Sequence, residues 1–139
     1  MFQRHMGKPI RDTLLPYGRQ SIDEKDVQSV VDVLRSDWLT TGPMVETFEQ
    51  EIARFVGARF AVAVSSGTAA LHAAMNAISI GPGDEVILPP MTFCATANAV
   101  LFCGGTPVFA DVGEDFNIDS ASIEERISSR TKAIVPMHY

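Results

Sequence analysis

Residues 60–78, FAVAVSSGTAALHAAMNAI, carry the pattern that most clearly indicates the fold. Residues 60–64 form a short apolar run that predicts a buried strand, and residues 65–68 form a turn. Residues 69–78 are rich in alanine and leucine, which favour helices. A buried strand followed directly by a helix is typical of α/β proteins. We therefore interpret residues 60–78 as the first strand and helix of such a fold.

The same alternation continues toward the C-terminus. Residues 85–88 (EVIL), 107–112 (PVFADV) and 133–137 (AIVPM) are short apolar runs that predict three more strands. Between them, residues 95–103 predict a helix and Asp119 is a candidate N-cap of another. Strands separated by helices of about ten residues indicate βαβ units and a mainly parallel sheet. Continuous apolar runs are also typical of parallel strands buried on both faces.

Residues 1–20 are polar, contain Gly and Pro, and are interpreted as an N-terminal arm. Ser21 and Glu24 then match a capping box, which predicts a helix start at Ser21. Two amphipathic helices follow, separated by the DWLTTGP loop at residues 37–43, and the second ends near Gly57. Their apolar faces are formed by Val27, Val30, Val31 and Leu34, and by Val45, Phe48, Ile52 and Phe55.

Composition limits the classes of function. Apolar residues make up 46% of the 139-residue chain, charged residues make up 20%, and the net charge is −6. An acidic chain of this kind is a poor match for nucleic acids or anionic membranes, which attract basic surfaces. No apolar run approaches the roughly 18 residues of a membrane span. The N-terminus lacks the apolar core of a signal peptide, so we expect a cytoplasmic protein.

Metal and disulfide chemistry are not indicated. Cys94 and Cys103 form no CxxC pair and are interpreted as reduced thiols. His5, His72 and His138 have no metal-ligand spacing, so we expect no metal site.

One turn is a candidate phosphate site. Gly67 and Thr68 follow the predicted strand at residues 60–64 and open a helix, whose N-terminal N–H groups can hold an anion. Gly67 would allow a ligand close to the backbone, and Thr68 adds a hydroxyl. Simple helix capping is the alternative. The chain has no GxxxxGK[ST], and no GxGxxG follows a strand, which argues against an NTPase or a dinucleotide enzyme.

Two aromatic residues lie in loops. Phe93 follows the predicted strand at residues 85–88, where a ring could stack on a flat heteroaromatic ligand, but a core phenylalanine is the alternative. Trp38 lies in the DWLTTGP loop, where ligand contact and packing on the neighbouring helices both remain open.

The order of these segments is more specific than any one of them. It resembles the DegT/DnrJ/EryC1/StrS family of pyridoxal-phosphate (PLP) dependent nucleotide-sugar aminotransferases from about Leu15 onward. The segments TAN (96–98) and PVFAD (107–111) are most similar to the family branch of the pseudaminic acid pathway. The segments that carry the resemblance are DWLTTGP (37–43), SSGTAALH (65–72), GPGDEV (81–86), TFCATAN (92–98), GTPVFAD (105–111) and RTKAIV (130–135).

The resemblance implies roles for individual residues. Gly67 and Thr68 match the turn that binds the PLP phosphate, and Phe93 matches the ring stacked on the cofactor. The residues that match the sugar-nucleotide pocket are Tyr17, Asp37, Trp38, Leu39 and Thr40, with Gly67 also counted as substrate-binding. The implied partners are a UDP-linked 4-keto-6-deoxy sugar, glutamate as amino donor, and a second subunit in a homodimer.

The resemblance also implies that these 139 residues lack part of the family's large domain and its catalytic groups. They match only the N-terminal part of the fold-type I PLP-dependent transferase large domain, a three-layer α/β/α fold, with residues 21–139 as a truncated, partial domain. In the family, the aspartate facing the pyridine nitrogen and the Schiff-base lysine both lie downstream of Tyr139. We therefore expect no catalytic residue in this chain and no transamination by these 139 residues alone. The alternatives are a non-catalytic module that binds PLP or a sugar nucleotide, and another fold-type I enzyme, against which the DWLTTGP segment weighs.

Overall fold

The computed structural model describes residues 11–138, which contain five helices and three strands. By contacts the chain divides into two compact units, one ending at Ala61 and the other beginning at Val62. The elements in chain order are α1 (Glu24–Leu34), α2 (Pro43–Val56), α3 (Gly67–Ala77), β1 (Glu85–Leu88), α4 (Ala95–Phe102), β2 (Thr106–Phe109), α5 (Ser120–Arg126) and β3 (Thr131–Ile134).

The first unit contains α1 and α2. Helix α1 begins after Asp23, whose carboxylate accepts the N–H of Lys25 and Asp26, and Asp26 in turn accepts the Asp23 N–H at 2.9 Å. Proline at the first position starts α2, and Gly57 ends it with φ +68°, a left-handed conformation that suits glycine. Both helices were predicted and are confirmed, but the predicted cap at Ser21 is wrong. Asp23 and Asp26 form the same reciprocal capping box two residues later.

The second unit is built around a parallel sheet with the strand order β2-β1-β3. Glu85 to Leu88 pair in register with Thr106 to Phe109 on one side, and β3 pairs on the other with a register shift between Glu85 and Val86. After β1 the chain passes through α4 and adds β2 on one side of β1. It then passes through α5 and adds β3 on the other side of β1. Two right-handed crossovers in opposite directions place their helices on opposite faces of a sheet.

The core lies where α3 and α4 pack on β1. Val86 and Leu88 contribute to one buried cluster, and Ile87, which points to the other face, is also completely buried. Both faces of the sheet are therefore covered at β1. The cluster also contains Met75 of α3, Ala99 and Val100 of α4, and Ile80 from the loop before β1.

The predicted α/β class with a parallel sheet is confirmed, with one strand fewer than expected. Residues 60–64 form no strand, and Phe60 and Val62 are 75% and 79% exposed. A strand requires a neighbouring backbone, and the described sheet consists of β2, β1 and β3 alone. The predicted strands at 107–112 and 133–137 begin earlier and are shorter, because pairing with four-residue β1 sets their limits.

The domain interpretation, an arm at residues 1–20 and one partial domain at 21–139, stays a prediction. Residues 1–10 and Tyr139 lie outside the described residues.

Candidate functional site

The turn before α3 presents backbone donors. Ser66 caps the helix and its hydroxyl accepts the Ala69 N–H at 3.1 Å. The N–H groups of Gly67 and Thr68 lie in the first turn, where helix geometry supplies no intrahelical acceptor. A side-chain carbon built on Gly67 would meet nothing within 4 Å. The space beside Gly67 is therefore open to a ligand.

Phe93 lies in the loop between β1 and α4, and its side chain is 73% exposed. The alternative of a core phenylalanine is therefore wrong. The Phe93 carbonyl accepts the N–H of Thr96 at 3.0 Å, and the hydroxyls of Thr92 and Thr96 are 2.9 Å apart. These contacts hold the backbone on both sides of the ring while the ring itself stays free.

Gly67, Thr68 and Phe93 line one groove with a volume of about 680 Å³. This size is ordinary for small-molecule sites, which span roughly 300–1,000 Å³. Ala70, Leu71 and Ala74 of α3 and Ala95 of α4 complete the wall. The sequence interpretation missed these four residues, although 67, 70, 71 and 74 follow the helical i, i+3, i+4, i+7 spacing.

Apart from Gly67, the residues assigned to the sugar nucleotide belong to the first unit and are only partly brought together. Trp38 and Thr40 line a second pocket, of about 480 Å³, with residues of α1 and α2. Asp37 and Leu39 are exposed neighbours that do not line it, and Tyr17 is fully exposed outside it. The Trp38 side chain is 61% exposed, so it borders the pocket without being buried by the helices.

Four charged residues of the second unit, Asp84, Glu85, Arg130 and Lys132, cluster at the amino edge of the sheet, the end opposite Phe93. Lys132 Nζ donates to Asp84 Oδ2 at 2.9 Å and to the Ser79 carbonyl at 2.7 Å. The Lys132 hydrogen bond, followed by one from the Gly81 N–H, lowers the pKa of Asp84. Lys132 and Asp84 therefore form a hydrogen-bonded ion pair.

Glu85 forms the second half of this cluster. Ser128 donates to Glu85 at 2.5 Å and the Arg130 guanidinium pairs with the same carboxylate. These hydrogen bonds, that of Ser128 first, lower the pKa of Glu85. No sequence signal indicated these pairs, because their partners are more than 40 residues apart.

The profile of the DegT/DnrJ/EryC1/StrS aminotransferase family matches residues 20–139, most of the chain. The chain belongs to this family. The resemblance seen in the ordered sequence segments is thereby confirmed.

Individual relatives agree with the family match. The chain is 51% identical over 130 residues to the spore coat polysaccharide biosynthesis protein SpsC of Bacillus subtilis, covering 93% of this chain and 33% of SpsC. It is 49% identical over 126 residues to the UDP-4-amino-4-deoxy-L-arabinose–oxoglutarate aminotransferase of Shewanella sediminis, covering 90% of this chain and 32% of that enzyme.

A solved structure supports the fold. Helicobacter pylori PseC, an aminotransferase involved in the biosynthesis of pseudoaminic acid, is 39% identical and superimposes with a TM-score of 0.82. The match covers 87% of this chain and 33% of PseC. The chain thus spans about a third of the length of the relatives it matches.

Pyridoxal phosphate is the cofactor of this family. One solved relative is known in both its PLP form and its PMP (pyridoxamine phosphate) form, and another contains bound PMP. The groove of the second unit fits this group, because it combines open backbone donors at Gly67 and Thr68 with the exposed ring of Phe93. A phosphate suits the donors and a flat pyridine suits the ring.

Among residues 11–138, no helix combines the length and apolar character needed to cross a bilayer. The same residues contain no group of three or more histidine, cysteine or acidic side chains arranged to hold a metal ion. Cys94 and Cys103 are free thiols.

Proposed function

We propose that the complete gene product carrying this chain transfers an amino group from glutamate to the keto group of a UDP-linked 4-keto-6-deoxy sugar. The observation that carries the proposal is the groove where Gly67, Thr68 and Phe93 meet in a chain of this aminotransferase family. The UDP-sugar and the donor are supported by the relative from Shewanella, whose name contains both UDP-4-amino-4-deoxy-L-arabinose and oxoglutarate, the keto acid left when glutamate loses its amino group.

The role of this chain is to hold the cofactor. When bound, PLP supplies the electron sink through which an amino group can be exchanged. The N–H groups of Gly67 and Thr68, with the Thr68 hydroxyl, would hold the phosphate at the positive end of α3. Phe93 would cover one face of the ring and exclude water from it. The apolar wall formed by Ala70, Leu71 and Ala74 leaves these few polar groups to fix the orientation.

Substrate contacts are proposed for the first unit. The pocket bordered by Trp38 and Thr40 offers an exposed indole and a hydroxyl, which suit the flat and polar parts of a sugar nucleotide. Tyr17, Asp37 and Leu39 are assigned to the same substrate by family resemblance. A homodimer in the cytoplasm completes the proposal.

The described lysines are not placed for covalent chemistry at the groove. Lys132 is held at the amino edge of the sheet by Asp84 and Ser79. Lys25 lies on exposed α1 in the first unit, and Lys8 lies outside the described residues. Neither described lysine lines the groove. We therefore propose that these 139 residues by themselves do not catalyse transamination.

The test compares the complete gene product with the 139-residue chain. Each is incubated with PLP, glutamate and a UDP-4-keto-6-deoxy-hexose, and the amino sugar and 2-oxoglutarate are measured by mass spectrometry. We expect both products from the complete protein and neither from the chain. PLP binding without turnover by the complete protein would instead support the non-catalytic module, and turnover by the chain would contradict our assignment of its lysines.

A matched pair of variants tests the groove. Phe93→Ala is expected to weaken PLP retention about tenfold, the loss of one stacking contact. Phe102→Ala is the control, because Phe102 is similarly exposed, at 61%, but packs on His72 outside the groove. Equal PLP retention by the two variants would contradict the assignment of Phe93 to the cofactor site.

A further inference from the structure

Gly42 lies against Trp38 in the first unit. A side-chain carbon built on Gly42 would be 2.6 Å from Trp38 Cβ and 3.4 Å from Trp38 Cγ. Real carbon atoms do not approach to 2.6 Å, and Cβ is attached directly to the backbone, so rotating the indole cannot remove the clash. Any larger residue at position 42 must therefore move the backbone that carries Trp38.

Space, rather than backbone conformation, requires glycine here. Gly42 has φ −112° and ψ −179°, an extended conformation open to every residue. It is the N-cap of α2 but makes no side-chain hydrogen bond there. Serine and aspartate are better N-caps than glycine, so helix capping alone does not explain a glycine at this position.

The other side of Trp38 is fixed by hydrogen bonds. The Trp38 N–H donates to Ser36 Oγ at 3.2 Å, and Ser36 Oγ donates to the Val33 carbonyl at the end of α1 at 2.8 Å. The Gly42 carbonyl accepts the Val45 N–H at 3.1 Å in the first turn of α2. The backbone at Trp38 is thus held between the end of α1 and the start of α2, and it cannot shift without disturbing one of them.

We infer that Gly42 is a positioning residue for sugar-nucleotide binding, because its missing side chain leaves the space that fixes Trp38 at the border of the pocket. Gly42, Trp38 and Thr40 line the same pocket. The inference rests on the proposed function, in which Trp38 contacts the sugar nucleotide. It adds a residue that acts through Trp38 rather than by touching the ligand.

The test uses Gly42→Ala and Gly42→Ser in the complete gene product. Both add the clashing carbon, but serine is also a strong N-cap and would restore a helix that merely needed capping. We expect both variants to raise KM for the UDP-sugar about tenfold with a much smaller change in kcat, the signature of weakened substrate binding. Gly81→Ala is the control, because nothing lies within 4 Å of a carbon added there.

The coupling to Trp38 is tested by a double variant. Trp38→Gly removes the atom that clashes, so adding Gly42→Ala to it should leave KM unchanged. Trp38 is the only tryptophan among these 139 residues. The fluorescence that the complete protein loses in Trp38→Gly is therefore the Trp38 signal, and it gives a second readout without any substrate. Gly42→Ala and Gly42→Ser should both shift its emission and its quenching by acrylamide.

Each outcome decides the inference. Raised KM in both Gly42 variants, absent in the Trp38→Gly background, supports it. Wild-type KM in Gly42→Ser or Gly42→Ala overturns it and leaves the aminotransferase proposal standing. A wild-type protein that neither binds nor aminates the UDP-sugar overturns the proposed function and this inference together, even if the fluorescence shift shows that Gly42 fixes Trp38.

Discussion

The two units use similar apolar patterns but bury them very differently. In the second unit, Val86, Ile87 and Leu88 are completely buried in a sheet covered on both faces. In the first unit, Ala53 is the only buried residue among the described positions, and Leu34 and Phe48 are 62% and 57% exposed. Apolar patterns predict strand β1 and helices α1 and α2 alike, but burial depends on a partner surface. Substitutions in the second unit should therefore change stability far more than matched substitutions in the first.

The largest contrast is expected from the same leucine change in the two units. Leu88→Ala should lower the free energy of unfolding by about 3 kcal/mol, because it leaves a cavity in a closed core. Leu34→Ala should change it by less than about 0.5 kcal/mol, because that side chain is already hydrated. Urea unfolding followed by circular dichroism measures both. Equal shifts would show that the apolar face of α1 is buried in solution.

A smaller effect is expected from adding one carbon to the core. Gly105→Ala places Cβ 2.5 Å from Ile80 Cγ2 and 3.1 Å from Val100 Cγ1, which should cost about 2 kcal/mol through overpacking. Gly81→Ala, in the same unit but with open space around it, is the matched control. An unchanged urea midpoint for Gly105→Ala would mean that α4 moves freely against the Ile80 loop.

Local structure in the first unit should depend on its caps. Asp23→Ala removes the carboxylate that accepts the N–H groups of Lys25 and Asp26, and should destabilise α1 by about 1 kcal/mol. Ser21→Ala should have no effect, since Ser21 lies outside the observed cap. Amide exchange within α1 measures the difference. A larger effect of Ser21→Ala would instead show that Ser21 caps α1, as the sequence predicted.

The smallest effect at neutral pH is expected at Glu85, because its Arg130 partner is largely exposed to solvent. Its hydrogen bonds lower the folded-state pKa, so they stabilise the fold above the ordinary glutamate pKa of about 4.3. This stability is lost as pH falls through the lowered pKa. Acid unfolding of Glu85→Gln should therefore be less steep than that of wild type, with Glu124→Gln on α5 as control. Identical acid transitions would exclude a contribution from Glu85.

Sequence patterns predicted the features that depend on neighbouring residues along the chain. They did not predict those that depend on residues distant in the sequence. All five helices were predicted because their spacing and caps are local. Residues 60–64 have the composition of a strand, yet a strand exists only beside another backbone. The start of α1 was misplaced because two capping boxes overlap, and the template favours Glu24 over the equally capable Asp26.

In the candidate site, too, local features were predictable from the sequence and contacts between distant segments were not. The turn at Gly67 and the loop at Phe93 could be singled out as ligand-binding, because each lies at a helix or strand end. Their meeting in one groove required the packing of α3 on α4. The space beside Gly42 was not predictable, since it depends on how the loop at Trp38 folds back on the start of α2.

The central position of β1 in the sheet also determines how slowly its amide protons exchange with solvent. Its carbonyls at Ile87 and Leu88 accept N–H groups from Val135 on one side and Ala110 on the other, at 2.8 and 3.1 Å. The N–H groups of β1 point alternately toward β2 and β3, so each faces a described neighbour, whereas every second N–H group of β2 and β3 points away from β1. Deuterium from heavy water should therefore enter β1 last, and the lifetime of its amide protons measures how rarely the sheet opens.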